Sequence, residues 1–177
     1  MTDELALTDW VYAAAFVDGE GCITIARSFV PLRERYYYNV QVVVANRDRD
    51  VLDWMQTTWG GCVVITSTSS RVGRARAGWT WRCSGVAAKA FLLGIQPWLR
   101  IKASQCQNAL AMIDLLQRSR RTLGRARLPQ AWLEEQEDLY WVQRKLNHRG
   151  SDPFVARPMH SPRQIHRARI VAANIGI

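Results

Sequence analysis

Ala13-Ala14-Ala15-Phe16-Val17-Asp18-Gly19-Glu20-Gly21 is the stretch on which the reading of this chain turns. Three small residues lead, two apolar residues follow, and an acid-Gly-acid-Gly run closes it. Together with the residues before it (TDWVYAAAFVDGE, 8–20) it predicts a helix, with Thr8 or Asp9 placed to cap the start and Gly21 to end it. GCITIARSF (21–29) then alternates apolar with small polar residues, the pattern of a half-buried strand. After a charged turn from Pro31 to Arg35, YYYNVQVVVAN (36–46) predicts a second strand. Tyr38, Val40, Val42 and Val44 share one face; Tyr37, Asn39, Gln41 and Val43 share the other.

The same unit follows again without its helix motif. Asp48 is set to cap a helix whose apolar face carries Val51, Leu52, Met55 and Trp59, and Gly60-Gly61 stops it. CVVITSTSS (62–70) and WTWRCS (79–84) predict a second hairpin joined by RVGRARAG. Trp79, Trp81 and Cys83 share a face, which assigns the two indoles to packing against helices. Ser84 is placed to cap a helix through VAAKAFLLGI, Pro97 breaks it, and helical spacing resumes from Leu99 to about Arg118. Hairpins alternating with helices give an α+β class, αββαββα, with one four-stranded antiparallel sheet. The expected division is a core at 1–120 and a basic C-terminal extension at 121–177. The extension begins in the linker RSRRTLGRAR, has a helix over about 129–146, and ends in an irregular tail.

Composition narrows the partner. Lys and Arg total 24 against 15 Asp and Glu, a formal net charge of +9, which favours a polyanion. No apolar run approaches the roughly 18 residues of a membrane span, so a membrane partner is not expected. The acidic start MTDELALTDW has no basic leader region; a soluble protein inside the cell, in cytoplasm, nucleoid or organelle, is expected. Cys22, Cys62, Cys83 and Cys106 lack zinc-ligand spacing and are expected to be buried, reduced thiols. His148 is expected to be a solvated loop residue.

The motif resembles that of the LAGLIDADG homing endonucleases, and the likeness in element order extends over residues 8–118. VVVANRD, WTWRCSG and QPWLRIKASQ also match the family habit. Ala13, Ala15 and Glu20 depart from the commoner Leu, Gly and Asp, and Glu20 keeps the carboxylate. With one motif per chain, the resemblance implies a homodimer closing on the first helix, with Ala13, Ala14, Phe16 and Val17 at the interface. It implies site-specific, metal-dependent cleavage of both strands of a long pseudo-palindromic duplex, with no small-molecule cofactor. Small side chains let two helices approach, and a two-fold axis would bring both Glu20 carboxylates and Gly19 carbonyls together at negative helix ends. Mg²⁺ (or Mn²⁺) would relieve their repulsion.

The resemblance also distributes the other roles. Lys102 matches a basic residue beside the active centre, with a solvated or phosphate-contacting lysine as the alternative. Asn46 stands where the family often has a water-positioning Gln, with a helix cap as the alternative. Asp18 is assigned a structural part at the helix end. In the family the sheet is a saddle lying on DNA, and alternation turns Thr24, Ala26, Ser28, Tyr37, Asn39, Gln41 and Val43 outward. Val64, Thr66, Thr68, Thr80 and Arg82 extend that face. Arg49 and the tip residues Arg71, Arg74 and Arg76 are expected on phosphates. A splicing maturase, a cleavage-deficient regulator and a basic architectural protein are the rival readings.

Overall fold

The computed structural model describes residues 6–31, 35–66, 78–123 and 128–148. Helix α1 (Leu7–Glu20) leads into strands β1 (Gly21–Val30) and β2 (Arg35–Asn46), then helix α2 (Arg49–Trp59). Strands β3 (Cys62–Thr66) and β4 (Gly78–Ser84) follow, then helix α3 (Gly85–Ile95) and a 3₁₀ turn (Gln96–Trp98). Helices α4 (Ala103–Leu123) and α5 (Gln130–Leu146) complete the described residues. The expected α+β order holds. The four strands form one antiparallel sheet in the order β1-β2-β4-β3.

Period-two patterning decides which face of the sheet is covered. On β2, Tyr36, Tyr38, Val40, Val42 and Val44 are buried, and β1 adds Ile23 and Ile25. Trp81 and Cys83 bring β4 into the same layer, where Leu52, Met55, Phe91, Leu92, Ile95, Cys106, Ala109 and Met112 from α2, α3 and α4 close the core. Trp81 sits 5.1 Å from Phe91 ring to ring, and its indole N–H donates to the Gly60 carbonyl at 2.8 Å, so a fully buried donor is satisfied. Trp10 of α1 packs on Trp59 and Phe91, and a Cβ added at Gly94 would collide with the Trp10 ring. That glycine lets α1 and α3 approach.

Local signals behave unevenly at the helix ends. Asp48 caps α2, its side chain accepting from Asp50 N–H at 3.0 Å, and Gly60 and Gly61 leave the helix with φ of 75° and 88°. At α1 the expected side-chain cap by Thr8 or Asp9 is replaced by Ala6, whose carbonyl accepts from Asp9 N–H. Ser84 stands at the α3 N-cap without a side-chain bond. The basic stretch expected to be a linker from residue 118 is helical through Leu123, consistent with arginine being a good helix former. The position 120 therefore falls inside α4.

Helix α5 packs on α4 and on β1, the sheet's edge strand. The Gln143 amide donates to the Ile23 carbonyl at 2.6 Å and accepts from Asn108 at 2.9 Å, while Asn147 reaches the same carbonyl at 2.8 Å. Arg27 of β1 points to this side. Its guanidinium pairs with Glu137 at 2.6 Å and lies over the rings of Tyr36 and Tyr140 at 4.3 and 4.4 Å. Tyr38 donates its phenol to Glu137; burial first, then that carboxylate, pushes the phenol's pKa well up. No described helix is long and apolar enough to cross a membrane. Of the cysteines, Cys83 and Cys106 are buried, and burial pushes both thiols up to about 11. Cys22 and Cys62, expected inside, are exposed because their strand positions face away from the helices.

Candidate active site and nucleic-acid face

The motif helix ends in two acids with opposite surroundings. Asp18 is buried, and its carboxylate accepts three backbone N–H groups: Arg100 at 2.7 Å, Ile101 at 3.1 Å and Lys102 at 2.9 Å. Burial alone would raise its pKa. The three donors and the Lys102 charge outweigh that effect and hold it below the usual carboxylate value. Asp18 thus fastens the end of α1 to the segment entering α4, the structural part expected of it. Gly19 and Glu20 are exposed. Gly21 begins β1 at once, and a Cβ there would press on the Val17 backbone at 2.8 Å.

Glu20 lines an open cleft of about 400 Å³ with Ala45, Asn46, Arg47, Thr66, Gly78 and Trp79. The cleft lies where β2 and β3 end and β4 begins, beside the last turn of α1. Of the residues singled out in the sequence, the fold brings Glu20, Asn46 and Thr66 together here. Asn46 uses its side-chain oxygen to accept from Asp48 N–H at 2.9 Å, supporting the entry to α2. Lys102 does not line the cleft. It is buried, and its ammonium donates to the Asp18 carbonyl. Arg49, expected to be free for phosphate, lies over the Trp79 ring at 4.4 Å and pairs with Asp53 at 3.0 Å. Arg47 was not selected from the sequence, and Trp79 was assigned there only to packing. Adjacency to Asn46 at a strand end could have found the first, whereas Trp79 both packs on the core and lines the cleft.

Strand register places the outward residues in rows across the sheet. Thr24 pairs with Gln41, Ala26 with Asn39 and Ser28 with Tyr37. Cys22, Val43, Arg82 and Cys62 form another row spanning the four strands. Tyr37, Asn39 and Arg82 are exposed, and Thr24 and Gln41 half-buried. Thr80 is a correction: it lies in the outward row but is buried, its hydroxyl 2.7 Å from that of Thr66. Thr68, Arg71, Arg74, Arg76 and the tail from 149 lie outside the described residues.

The helix face expected to meet a second chain is also corrected. Ala13, Ala14 and Val17 have no exposed surface, because they form the stripe of α1 turned to this chain's own α3 and sheet. Phe16 is half-buried. The outward stripe is Leu7, Thr8, Val11, Tyr12, Ala15 and Gly19. Among the described residues, no group of three or more His, Cys, Asp or Glu is placed to hold a metal.

No family model and no curated protein matches this sequence. Solved structures do. The homing endonuclease I-CvuI, determined in complex with a DNA target in the presence of Mg with the DNA not cleaved, is 18% identical with a TM-score of 0.63 over 96% of each chain. The archaeal intron-encoded homing endonuclease I-Vdi141I, complexed with DNA, is 14% identical with a TM-score of 0.64, over 96% of this chain and 98% of its own. The LAGLIDADG homing endonuclease I-LtrWI, bound to target DNA, is 11% identical with a TM-score of 0.59, over 79% of this chain but 44% of its own. The chain therefore has the fold of the LAGLIDADG homing endonucleases.

Proposed function

We propose that this chain is a homing-type DNA endonuclease that hydrolyses both strands of a long duplex site as a pair of identical chains. The observation that carries this reading is Glu20, an exposed carboxylate at the end of α1 in a cleft at the border of the sheet's uncovered face. The complexes of I-CvuI and I-Vdi141I with DNA support a duplex as the partner. Pairing is supported by the outward stripe of α1, where Leu7, Val11 and Tyr12 are exposed apolar residues and Ala15 and Gly19 leave room for a facing helix. Coverage agrees: the chain spans 96% of I-CvuI but 44% of I-LtrWI, whose length leaves room for two such units.

Two α1 ends meeting across a two-fold axis would set two Glu20 carboxylates and two Gly19 carbonyls side by side. Those oxygens are hard donors at negative helix ends, the chemistry Mg²⁺ or Mn²⁺ takes; bound there, the ion would supply activated water and neutralise the leaving oxygen. The chain's own residues do the rest. Asp18 and Lys102 hold the helix end in place. Asn46 lines the cleft with its side-chain oxygen taken by Asp48 N–H, so the NH₂ group is what it would offer to a water there. Asn39 and Gln41 read adenine edges, Arg82 reads guanine, Thr24, Ser28, Tyr37 and Thr66 add polar contacts, and Arg71, Arg74 and Arg76 grip phosphates.

The test begins by selecting cleaved molecules from a randomised duplex library with Mg²⁺ present. On the selected site, Glu20→Gln keeps shape and hydrogen bonding but removes the charge. Binding should persist while single-turnover cleavage falls by about 100-fold or more, and EDTA should mimic the variant. Near-normal cutting by Glu20→Gln would end this reading.

A further inference from the structure

A phosphodiester seated beside Glu20 needs a nearby cation, and the fold distinguishes the candidates. The Lys102 ammonium is buried and spent on the Asp18 carbonyl. The Arg49 guanidinium lies over the ring of Trp79, a wall of the cleft, and pairs with Asp53, and it is not among the residues lining the cleft. Arg100 is exposed, yet it is not among the residues lining the cleft. Arg47 is exposed, lines the cleft with Glu20, and takes part in none of the ion pairs or hydrogen bonds among the described residues. It directly follows Asn46, at the end of the central strand β2.

We propose that Arg47 is the phosphate-binding residue of this cleft, and that Arg49 acts only as a positioning residue through Trp79. The proposal rests on the nuclease reading and deepens it. A guanidinium presents two parallel N–H groups to two phosphate oxygens, so it both neutralises the backbone and fixes its orientation. A phosphate contact carries no sequence information. It adds affinity equally on any duplex, and each one adds roughly 0.9 to the salt dependence of binding.

The experiment uses the full chain and its library-selected duplex. Equilibrium binding is measured with Ca²⁺ from about 50 to 200 mM salt, and single-turnover cleavage with Mg²⁺ at saturating DNA. Arg47→Gln should lower the slope of log K against log salt by about one per chain, weaken cognate and unrelated duplexes alike, and slow cleavage by about 100-fold. Arg47→Lys should restore the slope but only part of the rate, because a point charge lacks the fork. Arg49→Gln should keep the wild-type slope and instead lower the melting temperature. An unchanged slope and rate in Arg47→Gln, or an equal slope loss in Arg49→Gln, overturns the assignment. A wild-type chain with no salt-sensitive duplex binding would overturn the nuclease reading itself, which separates the two failures.

Discussion

Replacing Asp18 by Asn tests the fastening of the motif helix, since shape is kept while the charge and one acceptor oxygen are lost. In the native chain, one carboxylate oxygen accepts from Arg100 at 2.7 Å and Ile101 at 3.1 Å, the other from Lys102 at 2.9 Å. An amide would turn an NH₂ group toward at least one of these N–H donors. Hydrogen bonds to a charged acceptor are worth about 1.5–3 kcal/mol each, and a buried donor left unpaired costs about 1–3 kcal/mol. The Lys102 ammonium is bonded to the Asp18 carbonyl rather than to the carboxylate, so the three backbone donors carry the effect, and their contributions overlap rather than add. A loss of about 3–4 kcal/mol follows, or roughly 6–16 °C of melting temperature for a chain of this size. The pH dependence has a definite sign. The folded-state pKa lies below the unfolded value of 3.8, so the carboxylate's contribution is fully present above that value and fades as pH falls through the folded pKa. Thermal melts of both proteins by circular dichroism should show a constant gap at neutral pH that narrows below about pH 4. A gap under about 1 kcal/mol at pH 7, or one of equal size in acid, would refute the reasoning.

Two neighbouring substitutions separate packing from assembly, and a third tests the edge of the sheet. Ala14→Leu should overpack the chain's own core and cost about 1–3 kcal/mol in chemical denaturation, with or without DNA. Ala15→Leu, one position on and exposed, should leave the melt nearly unchanged while reducing dimer content in sedimentation and slowing cleavage; the opposite ranking would reverse the orientation of α1. Gln143→Leu should cost about 1–3 kcal/mol by stripping one partner from Asn108 and from the Ile23 carbonyl, and hydrogen exchange should quicken along β1 first.

Strands were legible because a half-buried strand writes its two faces in alternation. Tyr38, Val40, Val42 and Val44 were assigned inward from YYYNVQVVVAN, and the structure buries each of them. The Asp48 cap and the Gly60-Gly61 stop were equally plain, since side chain and φ act within a few residues. The facing of α1 was not legible. Leu7, Val11, Tyr12, Ala15 and Phe16 are as apolar as Ala13, Ala14 and Val17, so no polar stripe marks the outside. The burial of Lys102 and of Thr80 was not legible for another reason. Each is buried by a partner distant in sequence, Asp18 for one and Thr66 for the other, and residue type alone does not report that.

Strand β1 explains why the sheet can leave one face uncovered. It is an edge strand, and a bare edge would invite pairing with another chain. Helix α5 prevents that by placing the amides of Gln143 and Asn147 on the Ile23 carbonyl, and by holding Arg27 with Glu137 between aromatic rings. Ile23, Ile25 and Arg27 are thereby fixed on the helix side. The intervening Thr24 and Ala26, half-buried, and Ser28, exposed, lie on the other face, outside the core cluster. Their positions are set by the backbone, which the opposite face holds rigid. A surface built this way can change its outward residues at little cost to stability, because surface substitutions away from buried contacts usually lie within about 0.5 kcal/mol. That separation fits the proposed duplex-reading role, in which the outward residues would vary while the core keeps its fold.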